Sequence, residues 1–282
     1  MPPRSIWSGS ISFGLVNVPV KLTTAVSQKD VRFNQLHAKD HARINQKRVC
    51  SECGEEVSYD EIVKGYEVRK GAYVVIEPEE LDGIDPVATH TIDITEFVDL
   101  DQIDPIYFDH PYYLVPDRRA EKPYALLAQA LERTNKVALA HIVLRTKEYL
   151  AAIRSSKGAL VLSTLLYGDE VVPIETLETP SLETELTERE LKMAESLIES
   201  LTEKFDPDKY EDTYREKVLD LVHAKDEGQE IVVHEQAEAP AKVDDIMAAL
   251  EASVQAAREK RASEKGDQPA AKEKAKKEKA EE

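Results

Sequence analysis

Apolar and polar residues alternate along much of the first 175 positions. In Ile11-Ser12-Phe13-Gly14-Leu15 the odd positions are apolar, and in Val16-Asn17-Val18-Pro19-Val20-Lys21-Leu22 the even ones are. A period of two is the strand signal, and the phase change near Gly14 predicts a bulge or a barrel corner. Pro19 predicts an edge or bulge position, because proline has no N–H for an inner ladder. Tyr66-Glu67-Val68 and Tyr73-Val74-Val75-Ile76 flank Arg69-Lys70-Gly71-Ala72, the pattern of a hairpin. Thr91 to Val98 alternates in part, and Val137 to Leu144 and Ala159 to Leu162 again read as strands. Between them Tyr124, Leu127 and Leu131 recur at helical spacing over 122–134. Many short strands with few helices predict a mixed α/β fold dominated by β, with a barrel-like core.

The character changes after residue 175. Thr187-Glu188-Arg189-Glu190 is a capping-box pattern. It leads into an apolar face of Ala194, Leu197, Ile198, Leu201 and Phe205, broken by Asp206-Pro207-Asp208. A second helix is expected with Tyr210, Tyr214, Val218, Leu221 and Val222 on one side and Gly228 past its end. Two helices bury little by themselves, so these are expected to pack on each other and on something else. Residues 229–241 read as a linker. Val243, Ile246, Leu250 and Val254 mark a third short helix, and 263–282 is a Lys, Glu and Ala tract expected to be flexible. The division expected is therefore 1–180, 181–228 and 229–282.

Charge changes this picture. The net charge of −18 argues at face value against a nucleic-acid binder. The charge is unevenly placed, however. Residues 77–109 hold 11 acids and no Lys or Arg, whereas 118–157 hold 9 basic groups and 3 acids. Residues 175–251 carry 8 basic and 23 acidic groups. One basic face is compatible with such a chain while its other faces repel. No run of about 18 apolar residues occurs, so no membrane-spanning helix is expected. The N-terminus lacks the apolar core of a secretory signal, and two cysteines do not make a disulfide scaffold. A cytoplasmic protein is expected.

The chemistry-bearing residues are few. The chain has none of the glycine-rich phosphate loops, no Gly-x-Ser-x-Gly and no His-Glu-x-x-His, and His234-Glu235 lacks the second histidine. No catalysis and no cofactor is expected. Cys50-Ser51-Glu52-Cys53-Gly54 has the form of a metal knuckle, but zinc takes four ligands and no second Cys-x-x-Cys exists. His37 and His41 are the candidates to complete it, and the alternative is a tight turn carrying two free thiols. Among the cations, Arg43, Lys47 and Arg48 stand clear of acids between Asp40 and Glu52. His141 and Arg145 fall on one face if their strand is regular. Such side chains suit a phosphate-lined surface, and no interleaved aromatics favour single strands. Leu197, Leu201, Tyr210 and Tyr214 offer more apolar surface than solubility needs, which suits protein docking. Composition alone leaves open a duplex binder, an acidic adaptor and an enzyme with an unrecognised site.

The stretch from Arg4 to Leu22 closely resembles the opening of the bacterial Ku proteins. Arg32-Phe33-Asn34-Gln35-Leu36-His37, Ile62-Val63-Lys64-Gly65-Tyr66-Glu67 and Tyr112-Tyr113-Leu114-Val115-Pro116-Asp117 continue the match. Tyr124-Ala125-Leu126-Leu127, Leu191-Lys192-Met193-Ala194 and Phe205 to Arg215 extend it, so that it covers about 4–255 in order. The resemblance implies a homodimer built on a Ku-type β-barrel, with a bridge segment that closes a ring around duplex DNA. It implies binding of double-stranded DNA ends without sequence preference, at the nucleoid, and recruitment of a LigD-type ATP-dependent DNA ligase for double-strand break repair by non-homologous end joining. The bridge corresponds to about 29–66, which puts Arg32, Arg43, Lys47, Arg48 and Lys64 on or beside the inner wall, with Lys21 and Arg145 as further DNA-binding candidates on the barrel. The helices of about 184–228 correspond to the ligase-recruiting region, with Leu197, Leu201, Tyr210 and Tyr214 as partner-binding candidates. Cys50 and Cys53 then fall in the bridge, where no ligand set is required.

Overall fold

The computed structural model describes residues 4–82, 90–177, 187–228, 249–250 and 252–256. The expected linker 229–241, the start of the third helix and the tract 263–282 lie outside the described residues. The chain divides into two compact units, 1–177 and 178–282.

In the first unit, strands β1 (Ser5–Phe13) and β2 (Val16–Thr24) form an antiparallel hairpin. The expected bulge or corner at Gly14 is instead the hairpin turn. Phe13 pairs with Val16, and Gly14 sits at φ +58, a backbone region that glycine enters without cost. A turn reverses strand direction and inverts the alternation, as a bulge does, so the pattern alone did not separate them. After β2 the chain makes a long excursion containing the hairpin β3 (Lys64–Arg69) and β4 (Ala72–Ile76), then the short helix α1 (Pro78–Asp82). It returns as β5 (Thr91–Asp99), where a register shift between Ile94 and Glu96 interrupts the alternation. Strand β6 (Phe108–Pro116), helix α2 (Glu121–Thr134) and strands β7 (Lys136–Leu144), β8 (Lys147–Ser156) and β9 (Ala159–Leu165) complete the unit.

Seven strands close a barrel in the order β1-β2-β6-β9-β8-β7-β5. All neighbours are antiparallel except the closing pair, where Ser10, Ile11 and Ser12 of β1 lie parallel to Thr91, Ile92 and Asp93 of β5. Closure removes the open edges that would invite pairing with other chains. The backbone approach at the seam is close: Ser10 N donates to the His90 carbonyl at 3.0 Å, and a Cβ at Gly9 would collide with that carbonyl and with the Trp7 indole. Pro19 lies just past the end of the β2–β6 ladder, where its missing N–H is not needed.

The interior is filled by alternate side chains of every barrel strand. Ile11, Val18, Leu22, Ile92, Leu114, Ala140, Ile142, Ile153 and Leu162 belong to one buried cluster. Helix α2 adds Tyr124, Leu127, Ala128 and Leu131 to that cluster, the face expected from its periodicity. Tyr124 also ties three elements together. Its hydroxyl donates to the Leu114 carbonyl at 2.7 Å and accepts from Leu160 N at 2.8 Å. The outward side chains Val137, Leu139, Leu150 and Ala152 form a second cluster with Ile103, Tyr107 and Phe108.

In the second unit, α3 (Glu188–Leu201) starts at the expected capping box: Glu190 N donates to Thr187 Oγ1 at 3.3 Å and Thr187 N to the Glu190 carboxylate at 2.7 Å. The expected face ran on to Phe205, but the helix stops at Leu201, and Tyr210 likewise precedes α4 (Thr213–Asp226). Residues 207–209 form a 3-10 turn, across which Phe205 stacks on Tyr210 with ring centroids 6.0 Å apart. Gly228 follows α4 at φ +72, as the pattern indicated.

Tyr124→Phe leaves the buried Leu114 carbonyl and Leu160 N–H without their partner. We expect a loss of about 2 kcal/mol in denaturant unfolding, and an unchanged midpoint would show that these groups find partners elsewhere.

Candidate nucleic-acid interface

Among the described residues, the excursion between β2 and β5 contributes nothing to either hydrophobic cluster. No residue of 24–80 is buried. Two tight loops precede the β3–β4 hairpin, each closed by one antiparallel bridge, Leu36 with Arg43 and Val49 with Glu56. Neighbouring backbone bonds extend them: Ile44 N donates to the Gln35 carbonyl and Val57 N to that of Arg48.

The excursion carries five of the expected DNA-binding residues. Arg32 lies in the extended stretch before the first loop, Arg43 closes that loop, and Lys47 and Arg48 join it to the second. Lys64 pairs with Ile76 at the base of the β3–β4 hairpin. Lys47 spends its charge locally, on the Glu56 carboxylate at 2.7 Å. The Arg48 guanidinium sits 5.4 Å from the Tyr59 ring centroid, a cation–π arrangement that leaves its net charge intact. Among the described residues no ion pair engages Arg32, Arg43, Arg48 or Lys64.

The other two candidates are on the barrel. Lys21 points outward from β2 and bonds Asp117 at 2.9 Å. That bond, joined by the Arg118 N–H, holds the Asp117 carboxyl below its ordinary range. Arg145 does not share a strand face with His141. It occupies the two-residue β7–β8 turn at φ +61, after the strand has ended at Leu144. There it lines an open cleft of about 500 Å³ with Trp7, Asp109, His110, Tyr112 and Tyr149. Burial chiefly, with the Asp109 and Tyr149 charges added, raises the Tyr112 phenol above its ordinary value, and Arg145 opposes that rise. Arg145 is therefore set among carboxylate and phenol groups.

The cysteine segment is an exposed turn in which Gly54 N donates to the Cys50 carbonyl at 3.0 Å. Cys50 Sγ accepts from the backbone N–H of Cys53 and then of Glu52, which lowers the thiol's pKa. His37 Nδ1 lies 2.9 Å from Asp40 Oδ1, and His41 takes a left-handed backbone at φ +57. Among the described residues no three His, Cys, Asp or Glu side chains converge on a metal position.

The helical unit presents the other set of candidates. Leu197 is half-buried, whereas Leu201, Tyr210 and Tyr214 are 62%, 73% and 74% exposed. No residue of 187–228 is buried. Tyr59 and Asp117 escaped the sequence reading, since each acts on its cation from 11 or 96 positions away and no local spacing marks the pair. No helix among the described residues is long and apolar enough to cross a membrane.

Comparison with known proteins fits this architecture. The Ku70/Ku80 beta-barrel domain family matches residues 12–193. The non-homologous end joining protein Ku of Anaeromyxobacter sp. (strain K) is 50% identical over 256 residues, covering 90% of this chain and 86% of that protein. The same-named protein of Heliobacterium modesticaldum is 47% identical over 252 residues, covering 89% and 91%. That of Mycolicibacterium smegmatis is 43% identical over 266 residues, covering 90% and 82%. A closed barrel of this topology and identity sustained over nine-tenths of the sequence lead to one conclusion: the chain belongs to the Ku family, among the bacterial proteins of non-homologous end joining.

Proposed function

We propose that the protein is a non-catalytic homodimeric clamp. It encircles double-stranded DNA ends without sequence preference and recruits and stimulates a LigD-type ATP-dependent ligase in double-strand break repair. The observation that carries this reading is the excursion: among the described residues no ion pair engages Arg32, Arg43, Arg48 or Lys64, on a segment with no buried residue from 24 to 80. Cations that no ion pair engages suit a row of phosphates. Contacts to phosphate give affinity through counterion release but carry no base information. Preference for ends then comes from topology, since a closed ring loads only where a duplex stops.

The apolar side chains of the same segment favour the dimer. Phe33 is 72% exposed, and Tyr66, Val74 and Val75 stand open on the two-stranded hairpin. A lone two-stranded hairpin is marginal in water. A second copy of the excursion supplies the missing surface by a two-fold, self-complementary contact. For the ligase, Leu201, Tyr210 and Tyr214 are open apolar groups on an acid-rich unit, a surface for a protein rather than for DNA. The same open groups favour one second reading, an acidic adaptor whose helices dock proteins and whose basic patch is incidental; it predicts no salt-dependent duplex binding.

Two measurements follow. Sedimentation equilibrium should give twice the 31.7 kDa chain mass, and Phe33→Asp with Val74→Asp should shift it toward the single-chain mass; a wild-type monomer contradicts the clamp. Arg43→Ala and Arg48→Ala should each weaken linear-duplex binding evenly across sequences and lower the salt slope by about 1. Lys21→Ala, whose charge Asp117 already meets, should lower it less. Sequence-selective losses, or slopes that do not change, contradict phosphate contact by the excursion.

A further inference from the structure

The two loops of the excursion are the same structure written twice. In the second, Cys50 N donates to the Glu55 carbonyl at 2.9 Å, Gly54 N to the Cys50 carbonyl at 3.0 Å, and Val57 N to the Arg48 carbonyl at 2.9 Å. In the first, His37 N donates to the Ala42 carbonyl at 2.8 Å, His41 N to the His37 carbonyl at 2.8 Å, and Ile44 N to the Gln35 carbonyl at 3.2 Å. Every bond is repeated 13 positions apart. The bridges repeat too, Leu36 with Arg43 and Val49 with Glu56. So does the left-handed residue, His41 at φ +57 in the place of Gly54 at φ +74.

This alignment puts metal-ligating side chains at equivalent places. Positions one and four of the second loop are Cys50 and Cys53, and those of the first are His37 and Asp40. Within the first loop the two side chains already meet, His37 Nδ1 lying 2.9 Å from Asp40 Oδ1, and in the second Cys50 and Cys53 stand at the corresponding places on the same set of backbone bonds. His41, the partner that simple spacing suggests, holds the turn position instead.

A second observation points the same way. From Arg32 to Asp60 no residue is buried, yet two ordered loops stand there on one bridge each. Segments this small without a core need a staple, and a metal is one of the few available.

We propose that the paired loops form a knuckle-type site for a thiolate-seeking divalent cation, zinc being the natural occupant, with His37, Asp40, Cys50 and Cys53 as its ligands. The spacing is His-x2-Asp, nine residues, Cys-x2-Cys, and one imidazole, one carboxylate and two thiolates make the tetrahedral set that zinc takes. Binding releases the two thiol protons to solvent and leaves the centre with one net negative charge. The four groups do not converge in this structure, so binding draws together two loops that are each already shaped, in the usual coupling of metal binding to ordering. The connector thereby fixed contains Lys47 and Arg48, with Arg43 at its border.

The test is metal content of the full chain, purified without chelator, followed by cobalt titration of the chelated protein. One zinc per chain is expected, with cobalt giving thiolate charge-transfer absorption and the strong visible bands of a tetrahedral ion. Cys50→Ser with Cys53→Ser should abolish both, Asp40→Ala should weaken cobalt binding at least tenfold, and His41→Gly should leave it intact. Circular dichroism controls for folding, since no barrel core residue is altered. Absence of zinc together with absence of cobalt charge transfer in the wild type overturns the site. Half a metal per chain overturns the single-chain assignment in favour of one shared between copies. Loss in His41→Gly with retention in Asp40→Ala overturns the ligand set. None of these readouts involves DNA, so failure here and failure of the clamp are told apart.

Discussion

Closure of the barrel is the constraint on which the first unit depends. It is made by three residue pairs, Ser10 to Ser12 against Thr91 to Asp93, beside a glycine that alone lets the backbones meet. Once closed, the barrel has no free edge on which another strand can pair, and its interior is filled by its own strands and by α2. The excursion leaves after Thr24 and rejoins at the closing strand, so it is anchored at both ends. It cannot find a core inside the barrel. Whatever orders it comes from the segment itself or from other molecules.

That separation assigns the work. The barrel supplies stability through apolar burial, and charge plays little part in it. Its lysines at positions 21, 136 and 147 sit beside carboxylates, at 2.9, 2.7 and 3.9 Å. Such exposed pairs contribute little to stability but cancel local charge. On the excursion, which has no buried core between residues 24 and 80, no ion pair among the described residues engages Arg32, Arg43, Arg48 or Lys64. A net charge of −18 is therefore compatible with surface cations that stand outside any ion pair among the described residues. Apolar groups stay open on both the excursion and the helical unit, Phe33 and Tyr66 on the one and Leu201, Tyr210 and Tyr214 on the other.

Local patterns carried much of this into the sequence. The β3–β4 hairpin, α2 and the capping box at Thr187 are set by residues a few positions apart, and each lies where its pattern put it. What failed were cases in which two local geometries leave one pattern. An inverted alternation at Gly14 fits a turn as well as a bulge. A turn at Arg145 ended the strand that His141 occupies. The Asp206-Pro207-Asp208 pattern predicts the break, yet α3 stops at Leu201, which leaves Phe205 and Tyr210 to stack across the gap. Long-range partners were out of reach altogether: Lys21 meets Asp117, and Tyr124 joins Leu114 to Leu160, through folding alone. The equivalence of the two loops was hidden differently, because His and Asp in one stand where two cysteines stand in the other, and only the backbone bonds make them alike.

The most direct test of the central claim compares a linear duplex with the same sequence as a covalently closed circle, by gel shift at two salt concentrations. A ring threaded onto ends by phosphate contacts binds the linear form, more weakly at the higher salt, and leaves the circle free. Equal binding to both forms contradicts threading.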